Sequence, residues 1–335
     1  MKDYLLCCDW GTSSFRLRLI NSQDQRLIGE IISQEGVAST FTNWQKNGEP
    51  GGIGREEFFR QHLKKQIRLL SGKVGFTLDG ITLIISGMAS SSIGMNNVPY
   101  ARLPFPVDGS QVSIKGLDTQ PDFPHDIFLI SGVRSQHDVM RGEETQLIGL
   151  LTLEDTGHDP KQDTILLFPG THSKHIYIQN RHVTDFQTFM TGEVFNLMAH
   201  HSILKDSVET SASVVFSTSE LEAFKSGIWE EDSTSILNSL FRVRTNQLLA
   251  KLTKRQNALF LSGLLIGNEL KTLVDKQNWH LILCSGSNIF ELYKVAMQEL
   301  RLAERMTILS ADFLDKATIA GQVKIVQNQL KPLSK

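Results

Sequence analysis

The sequence predicts an α/β chain built from two similar halves. The first observation is a short apolar run at residues 4–8, followed by a glycine-hydroxyl turn at residues 11–14 and by alternating apolar positions up to Leu19, a pattern typical of a β-hairpin. The second is that the same succession returns at residues 164–178, with the Gly-Thr pairs of the two turns 159 residues apart. The third is length, because 335 residues correspond to about two domains of about 150 residues each. A degenerate internal duplication is therefore expected, with a boundary near residue 160.

The remaining elements of the first half follow from periodicity. Residues 27–32 can form a third strand after a polar turn, so this half opens with a three-stranded antiparallel meander. Apolar residues at helical spacing predict an amphipathic helix at residues 58–70, and an uncharged apolar run predicts a buried strand at residues 81–85. We expect the first domain to comprise residues 1–160.

The second half closes with further helices and strands. After several helical segments, a strand is predicted at residues 280–284, a turn at residues 285–288 and a helix from about residue 289 to residue 300. A short strand near residues 307–309 and a final helix follow. We expect the second domain to comprise residues 161–335.

Charge and composition narrow the possible classes of protein. Lysine plus arginine number 34 and aspartate plus glutamate number 36, which gives a net charge of −2. The chain has no excess of basic residues that would attract nucleic acid or an anionic membrane surface. Any bound phosphate must therefore be held by a few local groups. No run is apolar enough for a signal peptide or a membrane span, and Cys7, Cys8 and Cys284 suit buried reduced thiols. We therefore expect a cytoplasmic protein.

Each half contains one turn that could hold phosphate. Glycine lets backbone N–H groups approach oxygen atoms closely, and neighbouring hydroxyls add donors. The first turn carries Gly11, Thr12 and Ser13, and Asp9 precedes it at the end of a strand, where Mg²⁺ could be held directly or through water. Either turn by itself would be typical of an ordinary hairpin. The sequence patterns of P-loop and dinucleotide enzymes are absent.

Several motifs resemble those of known proteins. Residues 9–16 (Asp-Trp-Gly-Thr-Ser-Ser-Phe-Arg) and residues 168–174 (Phe-Pro-Gly-Thr-His-Ser-Lys) resemble the two phosphate loops of the superfamily of sugar kinases, actin and heat-shock chaperones. Residues 285–288 (Ser-Gly-Ser-Asn) resemble the adenosine-binding turn of that superfamily. Three further strings, within residues 86–100, 139–149 and 168–193, resemble one family of that superfamily, the 2-dehydro-3-deoxygalactonokinases. The string at residues 140–149 is the most discriminating of the three.

The resemblance implies a fold, an activity and a set of contacts. The fold is α/β, with two ribonuclease-H-like domains and a nucleotide cleft between them. The activity is transfer of the ATP γ-phosphate, with Mg²⁺, to the terminal (C6) hydroxyl of 2-dehydro-3-deoxy-D-galactonate in galactonate catabolism. Sugar-acid contacts are implied for Ser90, Ser91, Asn96 and Arg141, and Asp9 is the implied metal ligand. The implied nucleotide contacts are Asp9, Gly11, Thr12, Ser13, Gly170, Thr171, His172, Ser173, Lys174, Ser285, Gly286 and Ser287.

Two adjacent glutamates are candidates for the general base. Related xylulose and glycerol kinases carry a catalytic aspartate in a Gly-Asp-Gln segment, and the corresponding segment here is Gly142-Glu143-Glu144. Side chains of adjacent helical residues diverge by about 100°, so only one glutamate can face a site. The resemblance favours Glu143, and Glu144 is the alternative.

Other interpretations stay open at this point. A kinase for another small sugar acid or for a ketose fits the same motifs, and so, from a different class, does an actin-like or chaperone-like ATPase switch. The expected partners are ATP and a small sugar acid, without nucleic acid or membrane, and a homodimer is left open. Arg141 could pair with the neighbouring glutamates or bind the substrate carboxylate. Histidines 172, 175, 200 and 201 lack zinc-ligand spacing, which favours structural roles for them.

Overall fold

The computed structural model describes residues 3–153, 159, 161–210, 215–230, 235–284 and 287–330. The strands in this part of the chain are β1 (Tyr4–Trp10), β2 (Phe15–Asn21), β3 (Leu27–Ser33), β4 (Leu83–Gly87), β5 (Ala101–Arg102), β6 (Phe105–Pro106), β7 (Ile114–Leu117), β8 (Ile127–Ile130), β9 (Val133–Arg134), β10 (Val139–Met140), β11 (Thr164–Phe168), β12 (Ser173–Gln179), β13 (His182–Phe189), β14 (His280–Cys284) and β15 (Met306–Leu309). The α-helices are α1 (Val37–Asn43), α2 (Arg55–Val74), α3 (Glu143–Leu150), α4 (Thr191–His201), α5 (Thr218–Trp229), α6 (Ile236–Leu248), α7 (Lys254–Lys271), α8 (Ser287–Glu299) and α9 (Ala311–Leu330).

Two compact units make up the described chain. The first combines the described residues of Met1–Thr156, Arg181–Thr184 and Asp315–Lys335, and the second combines those of Gly157–Asn180 and Asp185–Leu314. The sequence predicts a single division near residue 160, whereas the structure assigns most of α9 to the first unit. Sequence patterns could not indicate this assignment, because it depends on contacts between residues that are far apart along the chain.

Helix α9 is tied to the first unit by buried contacts. The side-chain amide of Gln322 donates to the Cys8 carbonyl oxygen at 2.7 Å and to Ser86 Oγ at 2.8 Å, which joins the helix to β1 and β4. Helix α9 also crosses α3 closely, since a Cβ placed on Gly321 would lie only 1.9 Å from the carbonyl oxygen of Thr145. The final helix is therefore part of the layer that covers the first sheet.

The first unit is built on a six-stranded sheet with the order β3-β2-β1-β4-β8-β7. Strands β1, β2 and β3 form the predicted antiparallel meander, whereas β4 pairs parallel with β1 and β8 pairs parallel with β4. Strand β4 is buried along its whole length, as expected for a parallel strand covered on both faces. It begins at Leu83 and not at Ile81, because Ile81 closes a turn through its N–H bond to the Leu78 carbonyl oxygen at 3.2 Å.

The sheet of the second unit repeats this arrangement in the order β15-β14-β11-β12-β13. Strand β11 pairs antiparallel with β12 and parallel with β14, which pairs parallel with β15. Strands β13, β12, β11, β14 and β15 of the second unit thus correspond to β3, β2, β1, β4 and β8 of the first. In each unit the last two of these strands run parallel to the first strand of the meander. This is a ribonuclease-H-like topology, so the predicted α/β fold class is confirmed. The first residues of β13, His182 and Val183, belong to the first unit and pair there with β6.

Helices cover both sheets and pack their apolar side chains into the cores. In the first unit, α2 packs Phe59, Leu63 and Leu70 into the core. The predicted amphipathic helix is thereby confirmed, and it extends beyond residues 58–70 at both ends. In the second unit, α7 is buried over most of its length and packs against α5.

The three thiols are all buried and unpaired, as the sequence predicts. Burial raises the pKa of Cys7 to about 12, which keeps this thiol protonated and unreactive at neutral pH. Burial also raises the pKa of Cys8 and of Cys284. In the described ranges, no helix is long and apolar enough to cross a bilayer.

Candidate active site

Asp9 lies one residue before the end of β1, directly ahead of the first phosphate turn. The strand continues through Trp10, two residues beyond the predicted run. Asp9 therefore pairs in register with Arg16 of β2 and with Ser86 of β4. Its Oδ2 lies 3.7 Å from Arg16 Nη1. Burial raises the pKa of Asp9, and the positive charges of Arg16 and Arg18 oppose this effect only in part.

A small charged cluster surrounds Asp9. Asp315 of α9 accepts a hydrogen bond from Arg18 Nη2 at 2.8 Å and lies 3.7 Å from Arg16 Nη1. Over the residues that the structure describes, no group of three or more His, Cys, Asp or Glu side chains could hold a metal ion by itself. Mg²⁺ is commonly bound by one or two carboxylates together with water and substrate phosphates. The single carboxylate of Asp9 therefore fits an ion that is bound together with a phosphate ligand.

The first phosphate turn is closed and supported by backbone hydrogen bonds. The N–H of Gly11 donates to the Ser14 carbonyl oxygen at 2.9 Å, and the N–H of Val37, at the start of α1, donates to the Gly11 carbonyl oxygen at 2.9 Å. The side chains of Thr12 and Ser13 are exposed. The turn thus keeps this carbonyl bonded within the unit, while both hydroxyls stay at the surface, where they could donate to a ligand.

The second phosphate turn joins β11 to β12 and exposes two of its predicted residues. Thr171 and His172 are exposed, and a Cβ placed on Gly170 would meet nothing within 4 Å. Nε2 of His172 lies 2.5 Å from Glu193 Oε2, so this histidine is paired with a carboxylate. The open space above Gly170 is where a phosphate oxygen could approach the backbone.

Two other predicted residues of this turn are buried. Ser173 Oγ accepts a hydrogen bond from the Gly170 N–H at 3.4 Å, and Lys174 Nζ donates to Thr188 Oγ1 at 2.6 Å. Ser173 is fully buried and Lys174 is 5% exposed. The structure therefore separates the predicted set into exposed residues that can meet a ligand and buried residues that support the turn.

A glycine packs against the backbone of each phosphate turn, a feature that was not predicted from the sequence. A Cβ on Gly36 would lie 2.3 Å from the Thr12 carbonyl oxygen, and a Cβ on Gly192 would lie 2.6 Å from the Gly170 carbonyl oxygen. In both units this glycine stands at the start of the helix that follows the third strand. The spacing of the two glycines, 156 residues against 159 for the Gly-Thr pairs, could have indicated it.

Strand β4 and the start of α3 bring Glu143 close to Asp9. Gly87 and Gly142 both have positive φ, 89° and 112°, and a Cβ on Gly142 would lie 3.4 Å from the Gly87 Cα. A Cβ on Gly87 would in turn lie 3.5 Å from Asp9 Oδ1. Glu143 is partly exposed, accepts a hydrogen bond from the Arg141 N–H at 3.0 Å, and raises the pKa of Asp9 by its charge. A carboxylate is thus held at a helix N-terminus beside Asp9.

Glu144 is placed very differently from Glu143. Its side chain is fully buried, and it accepts hydrogen bonds from the Gly142 N–H at 2.7 Å and from Thr145 Oγ1 at 3.0 Å. Burial, followed by the charge of Glu143, raises the pKa of Glu144 to about 8. The adjacent glutamates therefore diverge as predicted for a helix, and Glu144 faces the interior of the unit.

We expect the buried carboxyl of Glu144 to make the stability of the first unit depend on pH. Because its pKa is raised from 4.5 to about 8, the folded chain keeps a proton that the unfolded chain releases at a lower pH. The free energy of unfolding should therefore fall as pH rises from about 4.5 to about 8, by up to about 1.4 kcal/mol per pH unit. Urea unfolding at several pH values should show a flatter dependence for Glu144→Gln. Glu49→Gln, at an exposed position of the same unit, should keep the wild-type slope, and equal slopes for all three proteins would contradict the prediction.

The guanidinium of Arg141 holds the loop that follows β4. Nη1 donates to the Ser90 carbonyl oxygen at 2.7 Å and to Ser90 Oγ at 2.6 Å, and Nη2 donates to the Val98 carbonyl oxygen at 3.2 Å. The guanidinium carbon lies 4.1 Å from the centroid of the Tyr100 ring, within range of a cation–π contact. Arg141 thus has a loop-positioning role that was not among the alternatives considered from the sequence.

The four predicted sugar-acid residues differ in what their polar atoms already contact. The hydroxyl and carbonyl of Ser90 are bonded within the protein, and Asn96 Nδ2 donates to Glu56 Oε2 at 3.1 Å. Ser91 Oγ and Arg141 Nε are buried and have no hydrogen-bond partner among the described residues. Buried polar groups normally have partners. Ser91, in the loop after β4, and Arg141, which bonds to that loop, therefore retain capacity for a ligand.

Most of the third predicted turn lies outside the described residues, and His200 makes its contact within its own helix. Ser285 and Gly286 lie outside the described residues, and α8 begins at Ser287. His200 is exposed at the end of α4, where its Nδ1 lies 3.0 Å from the Asn196 carbonyl oxygen. This contact within one helix is a structural role.

Two ribonuclease-H-like units, each with a glycine-threonine turn after its first strand, define the architectural class of sugar kinases and related ATPases. The family model for 2-keto-3-deoxy-galactonokinase matches residues 9–325. The chain is 33% identical over 225 residues, 64% of this chain and 70% of the other protein, to the 2-dehydro-3-deoxygalactonokinase of Escherichia coli (strain K12). It is 32% identical over 274 residues, 80% of this chain and 79% of the other protein, to a Rhizobium meliloti (strain 1021) protein named as a probable 2-dehydro-3-deoxygalactonokinase.

A solved structure agrees with these relatives. The crystal structure of a Sinorhizobium meliloti protein assigned to the same activity superposes with a TM-score of 0.76 at 29% identity, covering 99% of this chain and 98% of that one. The chain belongs to the 2-keto-3-deoxy-galactonokinase family, as its motifs indicated. It is therefore a kinase, and the family uses ATP as phosphate donor.

Proposed function

We propose that this chain transfers the γ-phosphate of ATP to the terminal hydroxyl of 2-dehydro-3-deoxy-D-galactonate, with Glu143 as general base. The observation that carries the proposal is the family match over residues 9–325, which includes both glycine-threonine turns and the segment that begins α3. In the reaction, the hydroxyl oxygen bonds to the γ-phosphorus while the bond from that phosphorus to the β–γ bridging oxygen breaks. ADP leaves, and the hydroxyl proton passes to a carboxylate oxygen of Glu143.

The two phosphate turns would bind the nucleotide. Backbone N–H groups of a glycine turn and exposed hydroxyls are suited to phosphate oxygens, and Thr12, Ser13 and Thr171 present such hydroxyls. Mg²⁺ bound with ATP would be held by Asp9, directly or through water, and would neutralise charge on the phosphates. Phosphoryl transfer depends mostly on positioning and charge neutralisation, so we assign the larger part of the rate acceleration to these groups.

The substrate carboxylate needs donors, and the overall charge of −2 does not provide them. Ser91 Oγ, in the loop after β4, and Nε of Arg141, which bonds to that loop, are buried donors without a partner in the described structure. A substrate carboxylate that reached either atom would supply the missing partner, and the charge of the guanidinium would favour an anion there. We therefore assign acid recognition to Ser91 and Arg141, and we assign loop support to Ser90 and Asn96.

A coupled assay for ADP release, run with a panel of sugar acids and ketoses, tests the proposed function. The expected result is ATP turnover that depends on 2-dehydro-3-deoxy-D-galactonate and exceeds turnover with every other compound. Preference for a different acid or ketose would keep the kinase and change its substrate. ATP turnover that is independent of every acceptor would contradict the kinase and favour an ATPase switch.

Gly170→Val tests the second phosphate turn. The position has no positive φ and has open space where a Cβ would stand, so the fold should tolerate the side chain. A branched side chain there would block approach of a phosphate to the backbone, and we expect the Kd for ATP to rise at least about tenfold. Calorimetry measures this. Gly116→Val, at another open glycine on β7, should leave the Kd unchanged, and an unchanged Kd in Gly170→Val would remove this turn from the site.

Arg141→Lys tests recognition of the acid. A lysine cannot reproduce the planar fork that binds Ser90 and Val98 and presents Nε. We expect KM for the sugar acid to rise about tenfold or more, while the Kd for ATP stays close to wild type. Steady-state kinetics with each substrate varied separately distinguish the two effects. Arg134→Lys, at an exposed position on β9, is the control, and an unaltered KM in Arg141→Lys would exclude Arg141 as a carboxylate ligand.

A further inference from the structure

A buried polar cluster lies beneath the second phosphate turn. The Gly170 N–H donates to Ser173 Oγ at 3.4 Å, and Ser173 Oγ lies 3.0 Å from the hydroxyl oxygen of Tyr293 on α8. The Tyr293 hydroxyl donates to Glu269 Oε2 on α7 at 2.7 Å. Ser173, Tyr293 and Glu269 are each at most 2% exposed. A continuous set of hydrogen bonds therefore runs from the backbone of the turn to a buried carboxylate.

The direction of these hydrogen bonds follows from the single proton of the Tyr293 hydroxyl. The hydroxyl of Tyr293 has one proton and donates it to Glu269 Oε2, so Tyr293 must accept from Ser173. Burial raises the pKa of Tyr293 well above its ordinary value, which keeps its hydroxyl proton in place as a donor. Ser173 Oγ, having donated its own proton to Tyr293, has lone pairs left for the Gly170 N–H. Each bond in the set thus depends on the next.

Glu269 also holds the helix that clamps the same turn. Thr191, the first residue of α4, donates its hydroxyl to Glu269 Oε2, and Nε2 of His175 lies 3.1 Å from Glu269 Oε1. The residue after Thr191 is Gly192, whose Cα packs on the turn, and the Glu193 N–H donates to the Thr171 carbonyl oxygen at 3.0 Å. One carboxylate is therefore connected to the turn by two routes, through β12 and through α4.

We infer that Glu269 is a positioning residue for nucleotide binding, which fixes the second phosphate turn through Tyr293 and Ser173 and through the start of α4. The inference rests on the proposed function, in which this turn binds the phosphates of ATP. A turn that is already ordered binds its ligand without a further entropic cost. Glu269 is remote from the exposed face of the turn, so its effect is on the geometry of the turn and not on direct contact.

Tyr293→Phe and Glu269→Gln test this inference. Tyr293→Phe removes one hydroxyl and leaves Glu269 bonded to α4 and β12, whereas Glu269→Gln keeps the shape and puts an amide group among converging donors. We expect each to raise the Kd for ADP about tenfold, a size typical of outer supporting residues. The KM for the sugar acid should not change. In a Ser173→Ala background, Tyr293→Phe should have little further effect, because its route to the turn is already broken.

A matched control separates positioning from stability. Asn257 is also buried on α7 and bonds to the carbonyl oxygens of Ser207 and Val243, away from the turn. Asn257→Ala should lower the melting temperature and leave the Kd for ADP unchanged. If Tyr293→Phe behaves like Asn257→Ala in both measurements, the inference is wrong.

Hydrogen exchange provides a readout that is independent of nucleotide. Amide exchange at residues 170–173 of the free protein should be faster in Tyr293→Phe and in Glu269→Gln than in wild type, and unchanged in Asn257→Ala. If the wild-type protein bound no nucleotide and the two variants still exchanged faster, the proposed function would be contradicted and the ordering of the turn by Glu269 supported. Nucleotide binding in wild type with unchanged exchange and Kd in both variants would overturn the inference alone.

Discussion

Replacing Glu143 by glutamine should lower kcat at least about a hundredfold and leave the Kd for ATP nearly unchanged. General bases commonly contribute about 10²–10⁴-fold to a rate, and a glutamine cannot accept the proton of the acceptor hydroxyl. The side chain is partly exposed at the first residue of α3 and lies close enough to Asp9 to raise its pKa. Loss confined to kcat and kcat/KM would indicate an interaction made only in the transition state. Single-turnover rates and calorimetry with ATP provide the two measurements.

Glu144→Gln is the matched control for this prediction. Glu144 is buried, its oxygens accept hydrogen bonds from Gly142 and Thr145, and its raised pKa keeps most of it protonated at pH 7. A glutamine has the shape and neutral charge of that protonated acid, so kcat should fall less than about fivefold. If Glu144→Gln were the crippled variant and Glu143→Gln nearly normal, the two roles would be exchanged. If both kept wild-type turnover, the proton acceptor would lie elsewhere.

The parts of the fold that the sequence predicted correctly are those with local patterns. The meander of β1, β2 and β3 and its repeat at β11, β12 and β13 follow from alternation of apolar residues around glycine turns. Helix α2 follows from its 3.6-residue periodicity. These patterns need no knowledge of distant contacts, so a single sequence was sufficient for them. The ribonuclease-H-like topology, with its parallel strands, was implied by the family resemblance.

Features that depend on distant contacts could not be predicted from local patterns. The assignment of α9 to the first unit depends on Gln322. This side chain bonds to Cys8, which is 314 positions away along the chain, and to Ser86, which is 236 positions away. The loop-positioning role of Arg141 depends on Ser90, which is 51 positions away. Glu143 is partly exposed and Glu144 is buried because of the way α3 packs. Two adjacent glutamates look alike in the sequence, so local patterns could not distinguish them.

Substitution of Asp9 should lower activity strongly without lowering stability, the largest difference between these two effects that we expect. Its carboxylate is partly desolvated, and its raised pKa shows that the ionised form is disfavoured in the folded protein relative to water. Asparagine has nearly the same shape without the charge. We expect Asp9→Asn to keep or raise the melting temperature of the nucleotide-free protein, because the substitution removes a charge that burial disfavours.

The same substitution should lower kcat about a thousandfold, because a neutral amide is a poor ligand for Mg²⁺ and cannot help to hold the charge of the phosphates in place. Calorimetry with ADP adds a measurement without turnover: Mg²⁺ should tighten ADP binding in wild type and should do so much less in Asp9→Asn. Asp315→Asn removes one negative charge from the same cluster, since Asp315 also contacts Arg16 and Arg18, and it should lower kcat less than about fivefold. Equal losses of kcat in the two variants would show that the net charge of the cluster matters and that Asp9 is not a ligand. A metal ligand must stand at one particular position, whereas either carboxylate can contribute to the net charge.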